Sequence, residues 1–313
     1  VTMAARASFR VRNFLQRVVR KEQFDLVYAC QLKTAIFIGQ FPSCKRVVDF
    51  TDTVSLLYRR MLRFQPFFSR MYGFIEVQRL AFWERKIARL ADLVLLVSPV
   101  DALALAKMAP EARISVIPNG VDTSYFQPLP CCERPVLTFW GNLRYVPNVD
   151  GVRWFCQEIL PEIRKVIPDV ELMIIGKDPS QEVIALSACP GVQVVGPVPD
   201  LRPYLAQTAV AVIPLRFGTG VRNKILEAFA SARAVVSTSV GCEGLEVEPG
   251  VHLEVADEPE IFARKVIGLL QNPERRNQLA FSARILVEKN YTWEAVGERL
   301  REVVGRGKET RPW

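Results

Sequence analysis

The chain has one histidine, His252, in 313 residues, and its seven cysteines stand at 30, 44, 131, 132, 156, 189 and 242 without a CxxC pair. An odd, scattered set with no ligand spacing excludes a zinc site or a disulfide framework as the organising device, and fits a reducing, cytoplasmic compartment. Long apolar runs are missing as well: "LVLLVSPV" (93–100) is far short of a bilayer span, and no charged-then-apolar leader opens the chain. Any meeting with a membrane is therefore expected to be peripheral, on its inner face. No lysine-serine pair of the Walker type occurs, and no Asp-x-Asp follows a strand.

Half of the residues are hydrophobic and 24% are charged. That composition excludes a disordered chain, and the length allows two domains with substantial cores. The charge is unevenly divided: residues 1–128 hold 19 Lys/Arg against 10 Asp/Glu, and the remainder 22 against 23, so the whole +8 excess lies in the first part. That part is expected to face something acidic, an anionic lipid leaflet, a phosphorylated acceptor or nucleic acid, with a merely solvated basic surface as the alternative. No nucleic-acid-binding motif organises the basic residues, so no nucleic-acid partner is expected.

Short apolar runs alternate with helical patterns, the mark of parallel α/β architecture. Strands are expected at 25–30, 46–50, 92–98 and 114–118, then at 135–141, 171–176, 192–196, 209–215, 234–238 and 252–255. "PNGVDTSYFQPLP" breaks the series with prolines and an Asn-Gly turn, which makes 118–133 a linker. In the second series, helices are expected near 150–166, 180–188, 200–207, 221–231, 258–271, 273–289 and 293–305.

"GTGVRNKILEAFA" (218–230) follows the strand "AVAVIPL", and an ordinary buried helix has no need of a glycine pair at its mouth. Parallel sheets place ligand sites beyond the carboxyl ends of their strands, and glycines there let a phosphate approach outward-pointing amides. On a helical wheel Val221, Ile225, Leu226 and Phe229 share one face, while Asn223, Lys224 and Glu227 share the other. Lys224 can add a point charge to a diphosphate, and the two oxygens of Glu227, roughly 10 Å along the helix from Gly220, can accept from both hydroxyls of a ribose. The pattern is not a dinucleotide fingerprint, because Asn223 stands where a third glycine is required.

Taken in order, "IPNGVDTSYFQP", "GNLRYVPNVDGVRWF", "LPEIRKVIPDVELMIIGKDP", "VQVVGPVPDLRPYL", "IPLRFGTGVRNKILEAFASARAVVSTSVGCEGL" and "YTWEAVGERLREVV" resemble the family 4 glycosyltransferases. "RVVDFTD" and the helices after it resemble the sugar-transferase branch of that family. The resemblance implies the α/β GT-B fold, two Rossmann-like domains with parallel sheets facing across a cleft. It places an acceptor-side domain at 1–128, a nucleotide-sugar domain at 129–290 and a returning C-terminal helix at 291–313. It implies sugar transfer from a UDP- or GDP-sugar to a hydroxyl acceptor with retention of configuration, without a metal.

Carried over residue by residue, the second glutamate of the family's Glu-x7-Glu motif is Glu227, the ribose ligand. The first falls at Thr219, a departure that leaves backbone groups at Thr219, Gly220 and Val221 to serve with Gly218 and Lys224. Arg144 matches the family's diphosphate cation, and Gly196, Pro197 and Val198 match the segment that meets the base. Asp49 and Asp52 end a strand facing the cleft and are the catalytic candidates, with a helix-capping or turn role as the alternative for Asp52. His252 is expected in a late strand, in a structural role.

The run "YRRMLRFQPFFSRMYGF" (58–74) interleaves arginines with aromatics, as an interfacial patch or as core cover. The basic helical stretch "ASFRVRNFLQRVVRKEQF" stands where the family has an opening βα unit with a glycine-rich loop, so the acceptor-side domain is expected to be partial. The competing readings are a catalytically silent GT-B-like subunit and a nucleotide-sugar epimerase. The oligomeric state is not legible.

Overall fold

The computed structural model describes residues 9–65, 67–130 and 133–305; Cys131, Cys132 and the end of the expected segment 291–313 fall outside them, as do the side chains of Phe67 and Phe68. The described residues form two compact units. The first contains 9–118, 219–221 and 299–305, and the second 119–218 and 222–298.

The first unit is built on a parallel sheet in the order β1 (Leu26–Cys30), β2 (Lys45–Thr51), β3 (Leu93–Leu96), β4 (Ile114–Val116). Side chains alternate between sheet faces, so Val48, Val94 and Leu96 pack with Ile87 and Leu105 of helices Phe67–Leu90 and Pro99–Met108. Val47, Leu93 and Leu95 point the other way, against Leu300, Val303 and Val304. Cover on both faces explains why β3 reads as an unbroken apolar run. Ser98 starts the helix after it, its Oγ accepting from the Val100 N–H at 3.2 Å with Pro99 in the first turn.

The second unit has six parallel strands in the order β10-β9-β8-β5-β6-β7, namely β5 (Val136–Trp140), β6 (Glu171–Ile175), β7 (Val192–Gly196), β8 (Val210–Ile213), β9 (Ala234–Ser237) and β10 (Glu254–Val255). The chain lays β6 and β7 on one side of β5, then returns to place β8 on the other. The order therefore reverses between β5 and β8, and such a switch point opens a crevice at the carboxyl ends of the two strands.

All ten expected strands are present, and three local expectations need correction. The helix expected near 150–166 runs as Val146–Trp154 and Leu160–Val166 with a π turn, Phe155–Ile159, between. Pro161 lacks an N–H and its ring crowds the preceding turn, and an inserted residue relieves both. β10 is two residues long because the Glu248 N–H donates to Nδ1 of His252 at 3.0 Å, which puts His252 in a turn. The helix expected at 221–231 is Asn223–Ala230. No helix among the described residues is long and apolar enough to cross a membrane.

Candidate functional site

At the reversal point, β5 ends in Phe139 and Trp140 with Gly141 following, and β8 runs through a loop into the helix Asn223–Ala230. Arg216 pins that loop to helix Val146–Trp154 through two bonds to Asp150, at 2.8 and 2.5 Å. This pairing fixes the backbone on which the next residues are carried.

Lys224 lies in the first turn of the helix and Glu227 one turn later. The Lys224 ammonium donates to Oδ1 of Asn148 at 2.9 Å and sits 4.0 Å from the centre of the Phe139 ring. Glu227 accepts the indole N–H of Trp140 at 2.5 Å. Burial, then the nearby Arg222 guanidinium, push the Lys224 amine down to about 7, with Glu227 acting in the opposite direction. Burial also raises Glu227 from the usual carboxylate range, opposed by the Trp140 N–H and the Lys224 charge. A guanidinium close enough to disfavour the Lys224 proton makes a site that an anion stabilises.

The glycines have distinct duties. Gly141 has φ +148°, and a Cβ there would lie 3.0 Å from Asn148 Nδ2 and 3.1 Å from Lys224 Nζ, so its bareness admits the amine. At Gly218 the corresponding space is held by the Arg222 guanidinium, whose Nη2 would be 2.0 Å from a Cβ. The expected phosphate approach over Gly218 is thus occupied by a cation, and Arg222 joins the site. Sequence reasoning missed Arg222, Asn148 and Trp140. A cation beside a glycine turn is a signal for the first; the other two meet their partners only through the fold.

Arg144 is exposed in the loop after β5, where its backbone N–H donates to Oδ1 of Asn142 at 2.9 Å. Gly196 ends β7 at φ +81° with nothing within 4 Å of the Cβ position; Pro197 is exposed and Val198 half-buried.

Residues 219–221 group with the first unit and are not helical. The Gly220 N–H donates to Oδ2 of Asp101 at 2.9 Å, and the Thr219 hydroxyl to Oδ2 of Asp52 at 2.9 Å. The expectation that amides of 219–221 stand open at a helix start is corrected for Gly220, whose N–H is engaged by a buried carboxylate. Val221 is buried.

Asp101 also accepts the Thr53 N–H through Oδ1, at 2.8 Å, so Thr53, not Asp52, opens the helix Val54–Met61. The capping role for Asp52 is therefore corrected, while its turn role stands: Asp52 lies in the bend before the helix and its N–H donates to the Phe50 carbonyl at 2.8 Å. Asp49 accepts from the Tyr28 hydroxyl at 2.7 Å and from the Thr51 N–H at 2.8 Å. The second bond steadies Thr51 at φ +66°, a left-handed conformation that a β-branched residue seldom adopts, where the β2–β3 register shifts. Glu84 is buried beneath this turn and accepts the Ser55 N–H at 3.0 Å and the Ser55 hydroxyl. Burial pushes Glu84 up to about 7, with the Asp52 charge adding to the rise.

Two family models match the chain: "Glycosyltransferase Family 4" over residues 3–125 and "Glycosyl transferases group 1" over 134–272. A GDP-mannose-dependent alpha-(1-6)-phosphatidylinositol monomannoside mannosyltransferase of Mycolicibacterium smegmatis is 30% identical over 254 residues, 72% of this chain and 65% of that protein. The chain spans 42% to 65% of the length of the curated relatives it matches. Among solved structures, sucrose-phosphate synthase from Thermosynechococcus elongatus shares the fold with a TM-score of 0.77 at 16% identity, covering 95% of this chain and 77% of that one. The Anabaena protein HepE, in complex with UDP and glucose, follows at a TM-score of 0.71 and 15% identity, covering 95% and 81%. With a glycosyltransferase model on each half and two units of parallel sheet, the chain belongs to the family 4 glycosyltransferases of the GT-B fold.

Proposed function

We propose that the chain serves a hexosyltransferase that moves a sugar from a nucleotide-diphosphate sugar to a hydroxyl acceptor with retention of configuration. The observation that carries this reading is the placement of Lys224, Arg222 and Glu227 at the switch point of the second sheet. Lys224 and Arg222, with Arg144 on the neighbouring loop, meet the diphosphate, and Glu227 accepts the ribose hydroxyls. Gly196 ends β7 and Val198 follows it, about 10 Å from β5 at ~4.8 Å per strand, a span that suits a base attached to that ribose. HepE, which shares the fold, holds UDP and glucose, and the mycobacterial relative uses GDP-mannose. UDP- and GDP-sugars are accordingly the donors to test.

In this reading the protein stabilises the departing diphosphate electrostatically, with protein cations and without a metal, while the acceptor hydroxyl attacks an oxocarbenium-like centre. Asp52 already binds one hydroxyl, that of Thr219, and we assign it to the acceptor. Asp49 is engaged by Tyr28 and Thr51 and is the weaker candidate. An anionic membrane surface is the proposed location. Met71, Tyr72, Phe74, Ile75 and Phe82 are exposed by 58% to 68% on the helix Phe67–Leu90, beside Arg70 and Arg79. Such a face suits interfacial adsorption.

One assay tests the reading: UDP- and GDP-hexoses with lipid-linked and soluble hydroxyl acceptors, in EDTA, with anionic or neutral vesicles present. The expected result is an α-linked product from an α-linked donor, unaffected by chelator, with the protein pelleting on anionic vesicles alone. An inverted product, or activity that returns only with Mn²⁺, contradicts it. Donor binding without transfer to any acceptor class supports the silent-subunit reading instead.

A further inference from the structure

We infer that Trp140 is a positioning residue for nucleotide recognition, its indole N–H holding the Glu227 carboxylate in the orientation that a ribose diol requires. The inference rests on the reading of Glu227 as the ribose ligand and goes beyond it by naming what sets that ligand's selectivity.

A ribose diol presents two donors side by side, and a carboxylate matches them best with both oxygens turned toward the sugar. A glutamate on a helix surface samples many orientations, and binding must then select one. Here one oxygen, Oε2, is fixed by Trp140 at 2.5 Å, which leaves Oε1 and the second lone pair of Oε2 to accept. The indole is donor-only, so it holds the carboxylate without offering the ribose a competing acceptor.

Its own position is secure. Trp140 is 5% exposed and ends β5, which pairs with β6 at Ile175 and with β8 earlier along the strand. Its neighbour Phe139 meets Lys224, so consecutive residues of one central strand place the cation and the carboxylate. A phenylalanine at 140 would fill much of the same space and leave Glu227 without its donor.

The test compares binding of UDP and GDP with binding of their 2′-deoxy counterparts, by calorimetry on the full chain. Wild type, Trp140→Phe and a variant with the benzothiophene analogue of tryptophan at 140 are measured together. The analogue keeps the shape of the indole and replaces its N–H with sulfur, so it answers the question even if Trp140→Phe folds poorly. Both variants are expected to bind the ribonucleotides about tenfold more weakly, in line with loss of a hydrogen bond to a charged group. The deoxy forms are expected to change less than about twofold, so the preference for ribose falls; a packing defect would weaken both sugars alike. Full ribose preference in the folded analogue variant overturns the inference and leaves Glu227 as the ribose ligand. A wild type that binds both sugars equally, or binds neither, overturns that reading and the inference with it.

Discussion

Glu227→Ala is expected to weaken binding of a nucleoside diphosphate by about 100-fold, near the upper end of what a hydrogen-bonded charge contributes. Two losses combine. The ribose hydroxyls lose their acceptor, and Lys224 loses the carboxylate whose charge favours its protonated form against burial and Arg222. With less of the amine protonated at neutral pH, the diphosphate is held less firmly. Glu227→Gln removes the charge but keeps an acceptor, so it should fall between wild type and Ala. Calorimetry with UDP and GDP checks this, and unchanged affinity in a folded Glu227→Ala protein would remove Glu227 from the site.

Gly176→Ala carries the largest expected cost to the fold. Gly176 follows β6 at φ +154°, and a Cβ built there would lie 1.7 Å from the carbonyl oxygen of Gly141. Neither backbone is free to retreat: the Gly141 N–H donates to Ile175 O at 3.0 Å and the Gly176 N–H to Gly196 O at 2.8 Å. Relief requires parting the ends of β5, β6 and β7, at a cost of roughly 3–5 kcal/mol, above the usual range for overpacking because the obstacle is main chain. Gly141 is also the residue against which Lys224 rests, so nucleotide binding should weaken in whatever fraction remains folded. Urea unfolding followed by circular dichroism reads the cost, and a change below about 1 kcal/mol would contradict the account.

What could be read from the chain beforehand followed from burial. β8 and β9 are continuous apolar runs because helices cover a parallel sheet on both faces, and such runs are recognisable in isolation. The π turn at 155–159 was hidden because one inserted residue hardly disturbs the apolar pattern, although Pro161 marked the place. In the site, Lys224 and Glu227 were legible because their chemistry and spacing are local to one helix.

Their partners were not legible. Asn148 and Trp140 stand 76 and 87 residues away in the chain, and only the reversal of strand order beside β5 brings them to the helix. Gly220 shows the opposite error. Its glycine turn suggested open amides, yet its N–H is taken by Asp101, 119 residues away, whose buried carboxylate had no local motif to announce it.

The central claim, that Lys224 and its neighbours hold a diphosphate, is tested most directly by counting protons during binding. The free amine is pushed down to about 7, and a bound diphosphate favours its charged form and returns it toward the ordinary lysine range near 10.4. Between those values binding must draw in a proton, and affinity must fall as the pH rises above 7. Calorimetry of UDP and GDP at pH 8, in buffers of different ionisation enthalpy, should show uptake approaching one proton, and Lys224→Met should abolish it. Binding without proton uptake, or no binding of either nucleotide, would contradict the account.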